Sequence, residues 1–211
     1  MIPVKVLAVR YLANASPALA EGLGAPPNMP SLGLLTTDCD DATYIALDAA
    51  TKAADVQVSY GRSFYAGASN ASTPYAGEVM GVLAGATPGA VRSGMEAALG
   101  ALERLGFEEC HGVPYLAYTV ASVGSFLARE AGVPLGSAIA YLIAPPLEGM
   151  YAMDAALKAA DVKLCKLYTP PSETNFGGGL LSGTQSACEA ACTAFAAAVA
   201  EVASRPIEGK F

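Results

Sequence analysis

The sequence predicts an α/β class protein, more specifically a duplicated α+β sandwich, and three observations predict it. The segment Asp48-Ala49-Ala50-Thr51-Lys52-Ala53-Ala54-Asp55-Val56 returns as Asp154-Ala155-Ala156-Leu157-Lys158-Ala159-Ala160-Asp161-Val162, identical at eight of nine positions. The interval is 106 residues, half of the 211-residue chain. That is far longer than the roughly 20–50-residue period of a solenoid, so it marks two fused copies of one domain. The same order of strands and helices can be read in both halves. Two strands are adjacent in each half, which implies helices laid on a sheet face.

The elements follow in order. Val6–Tyr11 and Tyr115–Val120 read as strands that open the two halves. Short helical pieces come next, Ser16–Gly22 and Ser122–Ala131, then turns at Pro26-Pro27-Asn28-Met29-Pro30 and Gly132-Val133-Pro134. Second strands are expected at Ser31–Thr36 and Ser137–Ile143. Each leads into the repeated helix. In the first half Asp40 or Asp41 is a good N-cap, and Tyr44, Leu47 and Thr51 share one face. In the second, Pro145-Pro146 suits a helix start, with Met150, Met153 and Leu157 at the same spacing. Val56-Gln57-Val58-Ser59-Tyr60 alternates as a half-buried strand should, and Val162–Tyr168 matches it. Loops rich in Gly, Ser, Pro and Asn follow, Gly61–Tyr75 and Thr169–Gly179. Strands at Glu78–Ala84 and Leu180–Ser182 feed long Ala-rich helices, Thr87–Leu105 and Thr184–Ser204. Gly106–Pro114 reads as the linker. The domain division is therefore 1–108 and 109–211, each near the common size for a domain.

Composition narrows the function. The chain is 53% hydrophobic and 15% charged, against roughly a quarter charged in an ordinary domain. Yet the longest candidate apolar runs, Ala194–Ala200 and Gly136–Pro145, are short or broken, so a membrane span of about 20 residues is not expected. Low charge without a span points to burial against other protein. The net charge of −7 and the scattered Lys and Arg supply no basic stripe for nucleic acid. An acidic surface admits neutral or cationic solutes. No basic and apolar leader opens the chain. Cys39, Cys110, Cys165, Cys188 and Cys192 are odd in number, and Cys188 and Cys192 at i,i+4 read as small core residues. A reducing cytosol is the expectation.

Catalytic constellations are sparse. The one histidine, His111, adjoins Cys110 in the expected linker. One such pair does not complete a tetrahedral zinc site, so no metal is assigned, with Cys110 and His111 the only candidates, as a site shared between copies. Gly177-Gly178-Gly179-Leu180-Leu181-Ser182-Gly183-Thr184 lacks the phosphate-loop lysine and precedes a strand rather than following one. The acidic run Asp38-Cys39-Asp40-Asp41 stands out, because three acids exceed what one helix cap needs and the second half has Ala144-Pro145-Pro146-Leu147 there. A capping role and a ligand role both remain open on the residues alone.

Ser31-Leu32-Gly33-Leu34-Leu35, Asp40-Asp41-Ala42-Thr43-Tyr44, Tyr60-Gly61-Arg62-Ser63-Phe64-Tyr65, Ala76-Gly77-Glu78-Val79 and Ala140-Tyr141-Leu142-Ile143-Ala144-Pro145-Pro146-Leu147-Glu148 carry a resemblance, as does Pro170-Pro171-Ser172-Glu173-Thr174-Asn175. Together they resemble the EutL family, the tandem-domain (BMC-T) shell proteins of the ethanolamine utilisation bacterial microcompartment. The resemblance implies two circularly permuted microcompartment shell domains and no enzymatic activity. It also implies a homotrimer that mimics a hexagonal tile and meets other shell proteins edge to edge within the cytoplasm, with no lipid membrane and no nucleic acid. It further implies a gated central pore and small acidic pores. On that basis the ethanolamine site residues are Asp40, Asp41 and Glu78, with Tyr65 beside them. Gly61–Tyr75, Gly106–Pro114 and Thr169–Gly179 are then the moving loops. No cofactor is required, and cobalamin is carried as a solute that could pass or bind. Three alternatives stand beside this reading: a soluble trimeric sensor of a small amine or cobalamin without a shell role, an enzyme working at the acidic cluster, and a compact Ala-rich monomer.

Overall fold

In the computed structural model, residues 1–64, 78–170 and 176–207 are described. The chain forms two compact units. The first comprises Pro3–Gly106 together with Gly124–Leu127, and the second Met1–Ile2, Phe107–Val123 and Ala128–Phe211. The chain thus breaks between Gly106 and Phe107, and four residues of the later sequence pack as part of the earlier unit.

In chain order the elements of the first unit are β2 (Val6–Leu12), α1 (Pro17–Gly22), β3 (Ser31–Thr37), α2 (Asp40–Ala53), β4 (Val56–Phe64), β5 (Glu78–Gly85) and α3 (Pro88–Leu102), preceded by the two-residue β1 (Ile2–Pro3). Its sheet runs β2-β3-β5-β4 with antiparallel neighbours. α2 and α3 pack side by side on the strands. On the opposite side Ala20 of α1 and Ala15, Ala25 and Met29 from the turns around it meet Leu32, Val82 and Ala84. Of α1 only Ala20 is buried, so the long helices cover one face of this sheet, and the other is met by α1 and the turns that flank it. Thr87 caps α3 by accepting the Ala90 N–H, and Pro88 fills the first turn, as position-specific preferences require.

The second unit repeats the plan with β6 (Gly106–Cys110), β7 (Val113–Val120), α4 (Ser125–Ala131, its first three residues packing in the first unit), β8 (Ala138–Ala144), α5 (Pro146–Ala159), β9 (Val162–Tyr168), β10 (Gly177–Gly183) and α6 (Gln185–Ser204). Its sheet order is β1-β6-β7-β8-β10-β9. Four of these strands reproduce the order of the first sheet. Leu142, Met153, Leu181, Cys188, Cys192 and Phe195 lie in one core between sheet and helices. The copies share even an irregularity: the register slips at Ser59 on β4 and at Cys165 on β9, positions 106 residues apart. An extra residue in one strand bends it and raises its twist, so both sheets curl at the same place.

Three expectations need correction. Gly106–Pro114 is no linker: β6 and β7 form a hairpin in which Cys110 pairs with Val113. His111 (φ 51°) and Gly112 (φ 80°) make its two-residue turn, and such turns need positive φ at both positions. Gly177–Gly179 is strand rather than loop. A Cβ at Gly178 would run into the Leu142 carbonyl and one at Gly179 into that of Lys166, so these glycines serve close strand packing. Finally, α6 is long and apolar enough to cross a membrane by length and composition alone. Its longest apolar run is Ala194–Ala200, and Cys188, Ala191, Cys192, Phe195, Ala198 and Val199 are buried in the fold.

Candidate functional site: an acidic end on the first unit

The acidic run sits where β3 ends and α2 begins. Thr37, the last residue of β3, accepts the Cys39 N–H (3.2 Å), and its hydroxyl lies 3.0 Å from the Cys39 carbonyl. Thr43, one turn into α2, donates to the same carbonyl at 2.7 Å, and the two hydroxyls are 2.6 Å apart. This closed polar knot fixes the turn that carries Asp38, Asp40 and Asp41. The helix N-cap is Cys39, with no side-chain cap bond. The N-cap expected at Asp40 or Asp41 is thus displaced by one or two residues, because the threonine pair does the work of holding the first turn. Asp40 instead accepts the N–H of its neighbour Asp41 at 2.9 Å.

All three carboxyls are buried. Asp38 accepts the Lys5 N–H at 2.7 Å, yet burial still pushes its carboxyl above the usual range. Burial likewise raises Asp40, opposed by hydrogen bonds from the Ser63 side chain and the Asp41 backbone. Removing a carboxylate from water disfavours its charged form. Cys39, wedged among these acids, is raised far more, by burial first and then by the charges of Asp41 and Asp40. It is a protonated core thiol and no nucleophile.

Sheet register brings further residues to this end. Ser63 on β4 pairs with Val79 on β5, and Phe64 pairs with Glu78. Val79 also pairs with Thr37. Glu78 therefore occupies the strand position next to the level of Ser63 and Thr37. Tyr65 lies outside the described residues, as do most of Gly61–Tyr75 and residues 171–175 of Thr169–Gly179. At the matched positions the second unit has no acid. Matching the registers puts Pro146, Leu147 and Gly177 where the first unit has Asp40, Asp41 and Glu78.

Cys110 and His111 are placed by the hairpin, and no group of three or more potential metal ligands occurs among the described residues. Lys52 and Lys158, matched between the copies, make i,i+4 ion pairs with Asp48 and Asp154. Sequence reasoning passed over two elements of the site: the Thr37–Thr43 pair and Ser63. Thr37 and Thr43 flank the acidic run at a six-residue interval, the one signal available.

Comparison with known proteins decides the family. Residues 31–113 match the model of the BMC domain. The chain is 56% identical to the bacterial microcompartment shell protein EutL of Clostridium perfringens (strain 13), over 98% of this chain and 97% of that protein. The chain belongs to the EutL family of bacterial microcompartment shell proteins. The Escherichia coli (strain K12) EutL is 47% identical over 99% of this chain and 97% of its own length. The crystal structure of ethanolamine utilization protein EutL from Leptotrichia buccalis superposes with a TM-score of 0.92, at 53% identity, covering 99% of this chain and 98% of that one. The α+β tandem fold is that of EutL, and these relatives are named as shell proteins rather than as enzymes.

Proposed function

We propose that this EutL-family chain builds a trimeric, pseudohexameric tile in the shell of an ethanolamine-utilising microcompartment within the cytoplasm, and that the acidic end of the first unit binds ethanolamine in passage. The observation that carries the site is its asymmetry. Two copies of one fold differ where Asp40, Asp41 and Glu78 of the first correspond to Pro146, Leu147 and Gly177 of the second. The first unit buries Asp40 and Asp41 where the second has Pro146 and Leu147. A buried carboxylate is costly without compensation, and an ammonium supplies it through charge-assisted hydrogen bonds. Ethanolamine is a small cation at neutral pH with one hydroxyl besides, and Ser63 beside Asp40 offers that hydroxyl a partner.

Burial of the Asp40 and Asp41 carboxyls in the single chain implies that access depends on rearrangement around them. A ligand shifts such an equilibrium only by binding one state better. No cofactor is required by this reading, and cobalamin enters it solely as a larger solute for the tile's central passage. Titration calorimetry with ethanolamine on the purified protein tests the site. Binding that disappears in Asp40→Ala and Asp41→Ala supports it, and unchanged affinity in both removes it. Electron microscopy of overexpressing cells tests the tile, since sheets or tubes separate a shell component from a dispersed sensor.

A further inference from the structure

Asp40 and Asp41 open α2 side by side, and both residues are interior, 5% and 7% exposed. Successive residues of a helix ordinarily diverge. Here they converge: Asp40 accepts the Asp41 N–H at 2.9 Å, and the Asp41 carboxyl comes within hydrogen-bond reach of the Asp40 carboxyl. An ionised carboxylate can only accept, so a bond between two carboxyls requires a proton on one of them. Two like charges in contact, away from water, do not both ionise.

The neighbours of Asp40 add hydrogen-bond donors and negative charge. On β4 the Ser63 hydroxyl donates to it, while Arg62, exposed beside Ser63, falls on the other side of the strand by alternation. On the turn before α2, Asp38 is a third buried acid and Cys39 a protonated thiol. Lys5 brings positive charge to Asp38, which also accepts its N–H. Tyr44, one turn along α2, packs against Phe126, and β5 places Glu78 at the adjoining strand position.

We infer that Asp40 and Asp41 share one proton in the unliganded protein and that ethanolammonium displaces it, so that the site exchanges a cation for a proton. This rests on the ethanolamine reading above. The free pair has two carboxyls and one proton, hence one negative charge. The ammonium brings one positive charge and three N–H donors, which take the place of the single O–H between the carboxyls. That O–H is the one bond broken, and its proton passes to water. The charge at the site is therefore the same before and after loading, which spares a buried site the cost of an added ion. A neutral solute of the same size has nothing to put in the place of the proton.

Titration calorimetry of the full-length protein with ethanolamine hydrochloride, in two buffers of different ionisation enthalpy at each pH, counts the protons released. About one proton per ethanolamine bound is expected on the acid side of the pair's titration, where the association constant rises about tenfold per pH unit before levelling off. The amine itself stays protonated throughout, as an alkylammonium does below about pH 9. Infrared difference spectra read the same event independently. Ethanolamine removes a protonated-carboxyl C=O band from the wild-type spectrum and removes none from that of Asp40→Asn. Binding with no proton release, an affinity flat between about pH 5 and 8, or no loss of the band overturns the exchange and leaves the ethanolamine reading standing. Absence of ethanolamine binding at every pH overturns both.

Discussion

Asp48 and Gly124 are joined across 76 residues of chain: one carboxylate oxygen accepts the Gly124 N–H at 2.7 Å while the other accepts that of Leu127 at 2.8 Å. The carboxylate thus satisfies the donors at the start of α4, which would otherwise lack partners. Position 124 must be glycine, because a Cβ there would collide with the Thr51 hydroxyl and the Asp48 carbonyl. At the matched place Ser16 accepts the Leu19 N–H with its own side chain, so that segment needs no carboxylate from elsewhere.

Asp48→Asn is therefore expected to destabilise the protein by about 2–4 kcal/mol, two charge-assisted bonds being weakened and an amide N–H set against a donor. Asp154→Asn, at the identical position of the second copy, breaks only an exposed pair with Lys158 and shifts stability by less than about 1 kcal/mol. Urea denaturation at matched protein concentration measures both. Equal effects would mean that the Asp48 bonds contribute nothing beyond a surface pair.

Asp40→Asn tests the cost of the buried acid. The folded-state pKa of Asp40 is raised, by burial above all, so the native protein holds this proton more tightly than the unfolded chain. Wild-type stability then falls as pH rises from about 4, the unfolded value, through the folded one. The amide does not titrate. The stability of Asp40→Asn relative to wild type is expected to climb with pH across that window and then level off. Asp38, raised in the same direction, is present in both proteins and cancels in the difference. Denaturation curves between about pH 4 and 7 show it, and a difference independent of pH would rule out desolvation as the dominant influence.

Gly178→Ala is expected to prevent native folding of the second unit. Its φ of +151° and the Leu142 carbonyl leave no room for a methyl group, and backbone on a neighbouring strand cannot step aside as a side chain can. Loss of soluble protein or of the cooperative thermal transition is the readout. Gly100→Ala, where nothing lies within 4 Å, is the control, and it should stabilise helix α3 slightly.

Cys192 reports on the core. Its thiol is pushed up to about 11, mainly by burial, and thiolate is the reactive form. Iodoacetamide near neutral pH should leave Cys192 unmodified in the native protein and label it fully in denaturant, as peptide mass analysis will show. Native labelling would mean that α6 opens away from the sheet.

Much of the fold was legible locally. The α2 and α5 helices, β3 with β8, and the long α3 and α6 follow from periodicity and caps within a few residues of each other. The hairpin at Cys110–Val113 was not legible, since Gly106-Phe107-Glu108-Glu109 lacks the alternation of a half-buried strand and the pairing partner lies across a turn. The shared bulge at Ser59 and Cys165 left no trace either, because an extra residue in one strand is defined only by the register of its neighbour. At the acidic end, the residue types and their absence from the second copy could be read directly, but the Thr37–Thr43 knot and the meeting of Asp40 with Ser63 could not.

By itself the sequence determined the duplication, the order of elements and which copy carries the acids, all of which are properties of residue identity along the chain. Only the tertiary structure decided which of two identical residues is buried. Asp48 and Asp154 sit in nearly the same nine-residue segment, yet one is sealed and the other open, because exposure depends on what another part of the chain lays over a residue.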